Sequence, residues 1–346
     1  MIGLDIGTTA VRAAEIEVGR GNKPPTIHRF AQAPLPLGAV RDGEVAEPET
    51  VASAIRRLWQ EHKFSHSEVV LGIGNQRVIV RDLTMPAMPM DQLRSSLPFQ
   101  VQDMLPVAVD DVLLDFLPTS GHDGVEGRSV QGLLVAATRD TVHANTAAVE
   151  TAGLRPLMVD LTAFALARVQ ARGEFAHRTI ALVDVGAKVT VVVIVHEGTP
   201  QFVRIVPVGG QDATEAISNE LGLSAVDAEN VKRHVGIGLG VAPEHRAAAE
   251  AVGRVTQTLA ETIRNTLVYY AANHPGAAAE MVLLTGGGSQ LPGFGQYLAS
   301  ASRANVAFGN PLAAFSLGGS MPKGDDLARL APYVPVAVGL ALGVAE

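Results

Sequence analysis

One local pattern occurs twice in this chain and limits what it can fold into. Residues 179–195, TIALVDVGAKVTVVVIV, give an apolar strand ending in Asp184, a one-residue step to Gly186, a tight turn and a second apolar strand. The chain opens the same way, with Ile2-Gly3-Leu4-Asp5-Ile6-Gly7-Thr8-Thr9-Ala10-Val11-Arg12. The β-branched run 189–195 is too apolar for an edge strand and predicts a buried central one. A carboxylate at the end of such a strand is costly unless a cation or hydrogen-bond donors meet it. The glycine after it lets consecutive backbone N–H groups face an anion at close range. An acid suited to hydrated magnesium, beside N–H groups suited to phosphate, points to a nucleotide site. A single Asp-x-Gly is an ordinary hairpin turn. Two copies half a chain apart predict a duplicated architecture with a ligand between the halves.

Composition narrows the class. A chain of 346 residues is long enough for two or more domains, each with its own core. Hydrophobic residues make up 47% and mean hydropathy is +0.21, which places the chain among globular proteins. The net charge of −8, without a basic stripe interleaved with aromatics, argues against a nucleic-acid partner. There are no cysteines, which excludes disulfides, thiolate zinc sites and a cysteine nucleophile. No basic-then-apolar leader precedes Asp5, and the longest apolar run, residues 180–195, is broken by Asp184 and Lys188. The expectation is a cytoplasmic protein with no direct membrane insertion; if it works at a membrane, something else holds it there.

Strands are expected at residues 11–17, 26–33, 69–73, 78–83, 112–117, 130–137, 157–160 and 281–284. Helices are expected at 48–62, 92–104, 140–152, 161–171, 210–221, 225–235, 247–273 and 292–302, with an apolar last helix over 333–344. Residues 19–25 and 34–43 read as connections, and the glycine-rich stretch 119–128 reads as a polar loop. Pro98 is expected to kink or split its helix. The block from 84 to 158, opened by Met85-Pro86-Ala87-Met88-Pro89-Met90, has the size of a small inserted α/β subdomain.

A third motif follows the two hairpins. Met281-Val282-Leu283-Leu284-Thr285 runs into Gly286-Gly287-Gly288, bare backbone on which a ring or a ribose can lie. Other constellations carry no chemistry. His62 and His66 have helical ligand spacing but no acidic third ligand. Gly236-Ile237-Gly238-Leu239-Gly240 follows a helix and lacks the strand that a dinucleotide fingerprint requires, and there is neither a Walker A nor a Gly-x-Ser-x-Gly elbow.

The order hairpin, hairpin, triple glycine resembles the actin-like ATPase fold of actin, sugar kinases, heat-shock chaperones and FtsA. That resemblance implies two duplicated ribonuclease-H-like domains with a small inserted α/β subdomain. It implies ATP and magnesium as ligands, with Asp5 and Asp184 holding the metal through waters. It implies that Gly7, Thr8, Thr9 and Arg12 hold phosphate together with Gly186, Ala187, Lys188 and Thr190. Ala228-Glu229-Asn230-Val231-Lys232 looks like the Glu-x-x-Lys helix, which implies Glu229 and Lys232 at the sugar, with Gly286, Gly287 and Gly288 at the adenine. Asp160-Leu161-Thr162-Ala163 looks like the segment that positions the attacking water, which implies Asp160 in that role. Within the fold the chain resembles the PilM family of type IV pilus assembly over its whole length. The matching stretches are residues 85–89, Asp103-Met104-Leu105-Pro106, Asp111-Val112-Leu113-Leu114-Asp115-Phe116 and Gly339-Leu340-Ala341-Leu342-Gly343.

The division this implies is residues 1–83 with 159–178 and a C-terminal helix 332–346 as the first domain, 84–158 as the insert, and 179–331 as the second domain. The implied partner is the N-terminal peptide of a PilN-like membrane protein, near the insert, with self-association possible and at most slow ATP hydrolysis. The rival readings are an FtsA-like polymerising protein, against which the missing C-terminal membrane helix counts, and a small-molecule kinase of the same fold.

Overall fold

In the computed structural model, which describes residues 1–19, 21, 23–124, 127–238 and 242–344, the two hairpins stand at the centres of two separate sheets. The first sheet runs in the order Arg155–Leu161, Glu68–Ile73, Ile2–Ile6, Ala10–Glu17, Thr26–Pro34, Ser316–Leu317. The second runs Thr199–Val206, Thr190–His196, Thr179–Val185, Met281–Thr285, Val306–Phe308. In each, the Asp-bearing strand pairs antiparallel with the next strand and parallel with a strand from far along the chain. The register repeats as well: Asp5 stands opposite Arg12, and Asp184 stands opposite Val191.

The strand Thr179–Val185 is central because both of its faces are apolar. Ile180 and Leu182 pack with Leu166 and Ala167 of the helix Thr162–Gln170, while Ala181 and Val183 pack with Leu259 and Ile263 of the helix Arg246–Asn273. The last helix, Pro335–Leu342, is buried along its whole length. It lies close on the first sheet and on the helix Thr162–Gln170 because glycines make both contacts: a Cβ on Gly3 would stand 2.0 Å from the Ala337 carbonyl, and one on Gly339 would stand 1.9 Å from that of Ala165. Among the described residues no helix is long and apolar enough to cross a membrane.

A third sheet has the order Val78–Pro86, Gly127–Thr138, Val112–Gly124, and the helix Met90–Val101 packs on it through Leu93, Leu97 and Val101. Three expectations change here. The stretch 119–128 is largely the end of a long β-hairpin, because antiparallel pairing with residues 127–131 satisfies its backbone whatever the polarity of its side chains. The helix passes Pro98 unbroken, anchored by buried residues spaced at i, i+4 and i+8 on either side of it. Met85 and Pro86 end a strand, and the alternating strand Thr199–Val206 was not expected at all. Residues 20 and 22 of the expected connection, 125 and 126 of the expected loop, Leu239 and Gly240 of the glycine-rich run, and 345–346 of the expected last helix lie outside the described residues.

Candidate functional site

The turns of the two hairpins face each other across one cleft. Each closes in the same way: the Gly7 N–H donates to the Ala10 carbonyl at 3.0 Å and the Gly186 N–H to the Val189 carbonyl at 2.9 Å. Gly7, Thr8 and Thr9 line one wall and Gly186, Ala187 and Lys188 the other, around a cavity of about 720 Å³. Asp5, Arg12, Asp184, Glu229, Lys232, Gly286, Gly287 and Gly288 line the same space.

The carboxylates carry the electrostatic tension of the site. Burial raises the pKa of Asp5, while Arg12 draws it back down. Asp184 is pushed from 3.8 to about 7 by burial and then by the charge of Asp5, with Arg12 opposing. The cause is visible in the register: the first hairpin places an arginine opposite its aspartate, the second places a valine there. One arginine serves two carboxylates, through a single 3.3 Å contact from Arg12 Nη1 to Asp5 Oδ2. Two partly buried carboxylates so poorly neutralised fit a divalent cation that keeps most of its water. Among the described residues no cluster of three or more His, Cys, Asp or Glu side chains could hold a metal by protein ligands alone.

At the other end, Lys232 donates to the Gly210 carbonyl and the Thr214 hydroxyl, both at 2.9 Å, and pairs with Glu229 at 2.6 Å. Burial alone would raise the pKa of Glu229, but hydrogen bonds from Lys232, Thr214 and Arg233 outweigh it and hold the carboxylate below its usual range. The three glycines press on protein as well as lining the cleft. A Cβ on Gly286, whose φ is +82°, would stand 2.2 Å from Asp184 Oδ1, and one on Gly288 2.5 Å from Val185 Cγ1. Glycine is required here for close strand-to-turn packing in addition to any open backbone.

Three expected site residues are engaged with other protein groups. Asp160 is not among the cleft-lining residues: its carboxylate accepts hydrogen bonds from Arg168 and, at 2.7 Å, from the Leu161 N–H. The cleft wall from that segment is Thr162 instead, whose hydroxyl packs against Gly74. Thr190 is fully buried and donates its hydroxyl to the Val208 carbonyl at 2.7 Å, which fixes the end of the hairpin from behind. Lys188 lines the cleft but pairs with Asp212 at 2.9 Å and Glu215 at 2.5 Å, so its charge holds the turn to the helix Gly210–Leu221. The N-terminal end of that helix grips the turn directly, the Gly210 N–H donating to Gly186 at 2.9 Å and the Gln211 N–H to Ala187 at 2.7 Å. Sequence reasoning missed Thr214 and Tyr333, which line the cleft from elements without a motif, and Arg233, which follows Lys232 on the helix Ala225–Val235.

The profile of the family described as type IV pilus assembly protein PilM matches residues 3–344. The chain belongs to this family. The solved structure of a PilM-PilN type IV pilus biogenesis complex is similar, with 31% identity, a TM-score of 0.86, and coverage of 100% of this chain and 98% of that one. The cell division protein FtsA of Bacillus subtilis (strain 168) is 20% identical over 260 residues, which are 68% of this chain and 58% of that protein's length. MreB5 of Spiroplasma citri bound to AMPPNP is alike in fold, at 14% identity and a TM-score of 0.51 over 89% of this chain and 90% of that one. The fold is that of the actin-like ATPases.

Proposed function

We propose that this PilM-family chain is a nucleotide-dependent scaffold of the type IV pilus inner-membrane platform. It takes Mg-ATP in the cleft and the N-terminal peptide of a PilN-like membrane protein beside residues 84–158. The observation that carries the reading is the likeness to the PilM-PilN complex over nearly the full length of both chains. The under-neutralised pair Asp5 and Asp184 between two phosphate-sized turns supports the nucleotide part.

Bound magnesium would supply the positive charge that the carboxylate pair lacks. On this reading Asp5 and Asp184 hold its water shell and the turns at 7–9 and 186–188 offer backbone N–H groups to phosphate. Arg12 supplies the charged contact, and Glu229 and Lys232 hold the sugar. Thr162 is the side chain from the connecting segment that can orient water, and a hydroxyl is a poor base, which fits slow turnover or none. The inserted unit is proposed to carry the peptide and is supported by its separate sheet. The proposed division keeps residues 84–158 as the insert and 179–331 as the second domain; the helix Arg139–Thr151 also packs with the first sheet, and the strand Ser316–Leu317 pairs with it. The membrane location follows from the partner and is part of the same proposal.

Calorimetric titration of a PilN N-terminal peptide, with and without Mg-ATP, tests it. Saturable binding that is strengthened by Mg-ATP, and that loses this gain in Asp184→Ala, is the expected result. Equal binding without nucleotide would leave a scaffold with a structural cofactor. No peptide binding beside tight ATP binding would favour the FtsA-like reading, which sedimentation with and without ATP then decides.

A further inference from the structure

Arg12 is held in an unusual way. Its one ion-pair contact, to Asp5, is long at 3.3 Å, although the side chain is only 15% exposed. Its Nε–H is buried and meets no hydrogen-bond acceptor among the described residues. What meets the guanidinium instead is an aromatic ring, with Arg12 Cζ 5.2 Å from the centroid of Tyr333. A bidentate carboxylate fork would occupy two or more of the five guanidinium donors. A ring face attracts the cation while leaving those donors for an incoming anion.

Tyr333 is itself fixed from both halves of the molecule. It ends the short turn Ala331–Tyr333, directly before the buried helix Pro335–Leu342 that packs on the first sheet. The neighbouring Pro332 carbonyl accepts from the Gly286 N–H at 3.0 Å and from the Thr285 hydroxyl at 3.1 Å, both in the second half. The ring lies against Gly287, where a Cβ would stand 2.8 Å from Tyr333 Cε1. One side chain therefore touches the arginine of the first hairpin and the triple-glycine turn of the second half, and it lines the cleft between them.

We infer that Tyr333 is a positioning residue: its ring supports the Arg12 guanidinium so that its donors remain directed at an anion in the cleft instead of closing on the Asp5 and Asp184 carboxylates. This rests on the nucleotide reading above and adds a residue that the hairpin and glycine motifs do not contain. It also gives the C-terminal segment a direct hold on the phosphate end of the site. The same ring that sits on the glycine turn sets the arginine, so a shift of one half against the other changes how Arg12 meets its anion.

The test is calorimetry with three probes, Mg-ATP, Mg-tripolyphosphate and AMP, on the wild type, Tyr333→Phe, Tyr333→Leu, Arg12→Gln and the double variant Arg12→Gln/Tyr333→Leu. A ring face is enough, so Tyr333→Phe keeps affinities within about twofold. Tyr333→Leu weakens Mg-ATP and tripolyphosphate by about tenfold, within the range of a partly desolvated cation–π contact, and AMP by less than about threefold. In the Arg12→Gln background the leucine substitution changes polyphosphate affinity by less than about twofold, because the two residues act as one unit. Far-UV circular dichroism and Tm check the fold; should Tyr333→Leu not fold, Tyr333→Met, which removes the ring at similar bulk, carries the same expectation. Unchanged polyphosphate binding in the leucine variant overturns the inference. So does a loss shared equally by AMP, a loss matched by the phenylalanine variant, or a loss that persists in full without Arg12. If the wild type binds none of the three probes, the nucleotide reading itself fails, an outcome distinct from any failure confined to the Tyr333 variants.

Discussion

Asp184→Asn should stabilise the metal-free protein at alkaline pH and, on the proposed reading, remove its response to magnesium. Asp184 titrates near 7 in the folded chain against 3.8 as a free side chain, because burial and the neighbouring Asp5 charge disfavour its ionised form. Between those two values the folded protein holds a proton that the unfolded chain has released, so stability falls as pH rises through this window and levels off above it. Full conversion of the shift gives about 4 kcal/mol. Asp184 is only partly buried, and water in the cleft screens it, which brings the working figure to about 2 kcal/mol. Asparagine keeps the shape and removes the titration. In chelator, urea denaturation at about pH 4 and about pH 8 should therefore show the gap between variant and wild type widening by about 2 kcal/mol in favour of the variant. Magnesium should then raise the wild type at pH 8 and leave the variant unmoved. A gap that does not change with pH, or a variant less stable than wild type at pH 8, would refute the carboxylate-pair account whatever happens to nucleotide binding.

Three further outcomes follow from the same geometry. Lys188→Ala should leave Mg-ATP affinity within about threefold by calorimetry and cost less than about 1 kcal/mol of stability, since its partly exposed ion pairs with Asp212 and Glu215 hold the turn to a helix. Glu229→Gln should weaken ATP more than tripolyphosphate, because Glu229 and its partners Lys232 and Thr214 form the end of the cleft proposed to hold the sugar. Its carboxylate sits below the usual range, so its stabilisation is present at neutral pH and fades as pH falls through the folded pKa; the stability difference from wild type should shrink accordingly in an acid titration. Gly286→Ala should lower stability by more than about 2 kcal/mol in thermal denaturation, because a Cβ there adopts a left-handed backbone and meets Asp184.

What the sequence revealed and what it hid divide along one line. Asp5, Gly7, Asp184 and Gly186 were legible because a strand, a turn and the next strand are local, and their chemistry is written within a few residues. The triple glycine was legible for the same reason, although its requirement for glycine turned out to include packing against the first residues of the opposing turn. The pairing of Asp160 was hidden because its partner Arg168 lies on the following helix, where only the bend between strand and helix brings the two together. The bond of Thr190 was hidden because the carbonyl it serves, on Val208, comes after another whole strand. The long hairpin was hidden because backbone pairing needs no apolar side chains, so a polar glycine-rich end looked like a loop. Tyr333 had no signal at all: its two neighbours in space, Arg12 and Gly287, are distant in sequence or belong to a different motif, and the fold alone joins them. Local motifs thus named groups that line the cleft. The residues that aim those groups come from the tertiary structure, and in this cleft an unbalanced register, arginine in one hairpin and valine in the other, is what makes such aiming necessary.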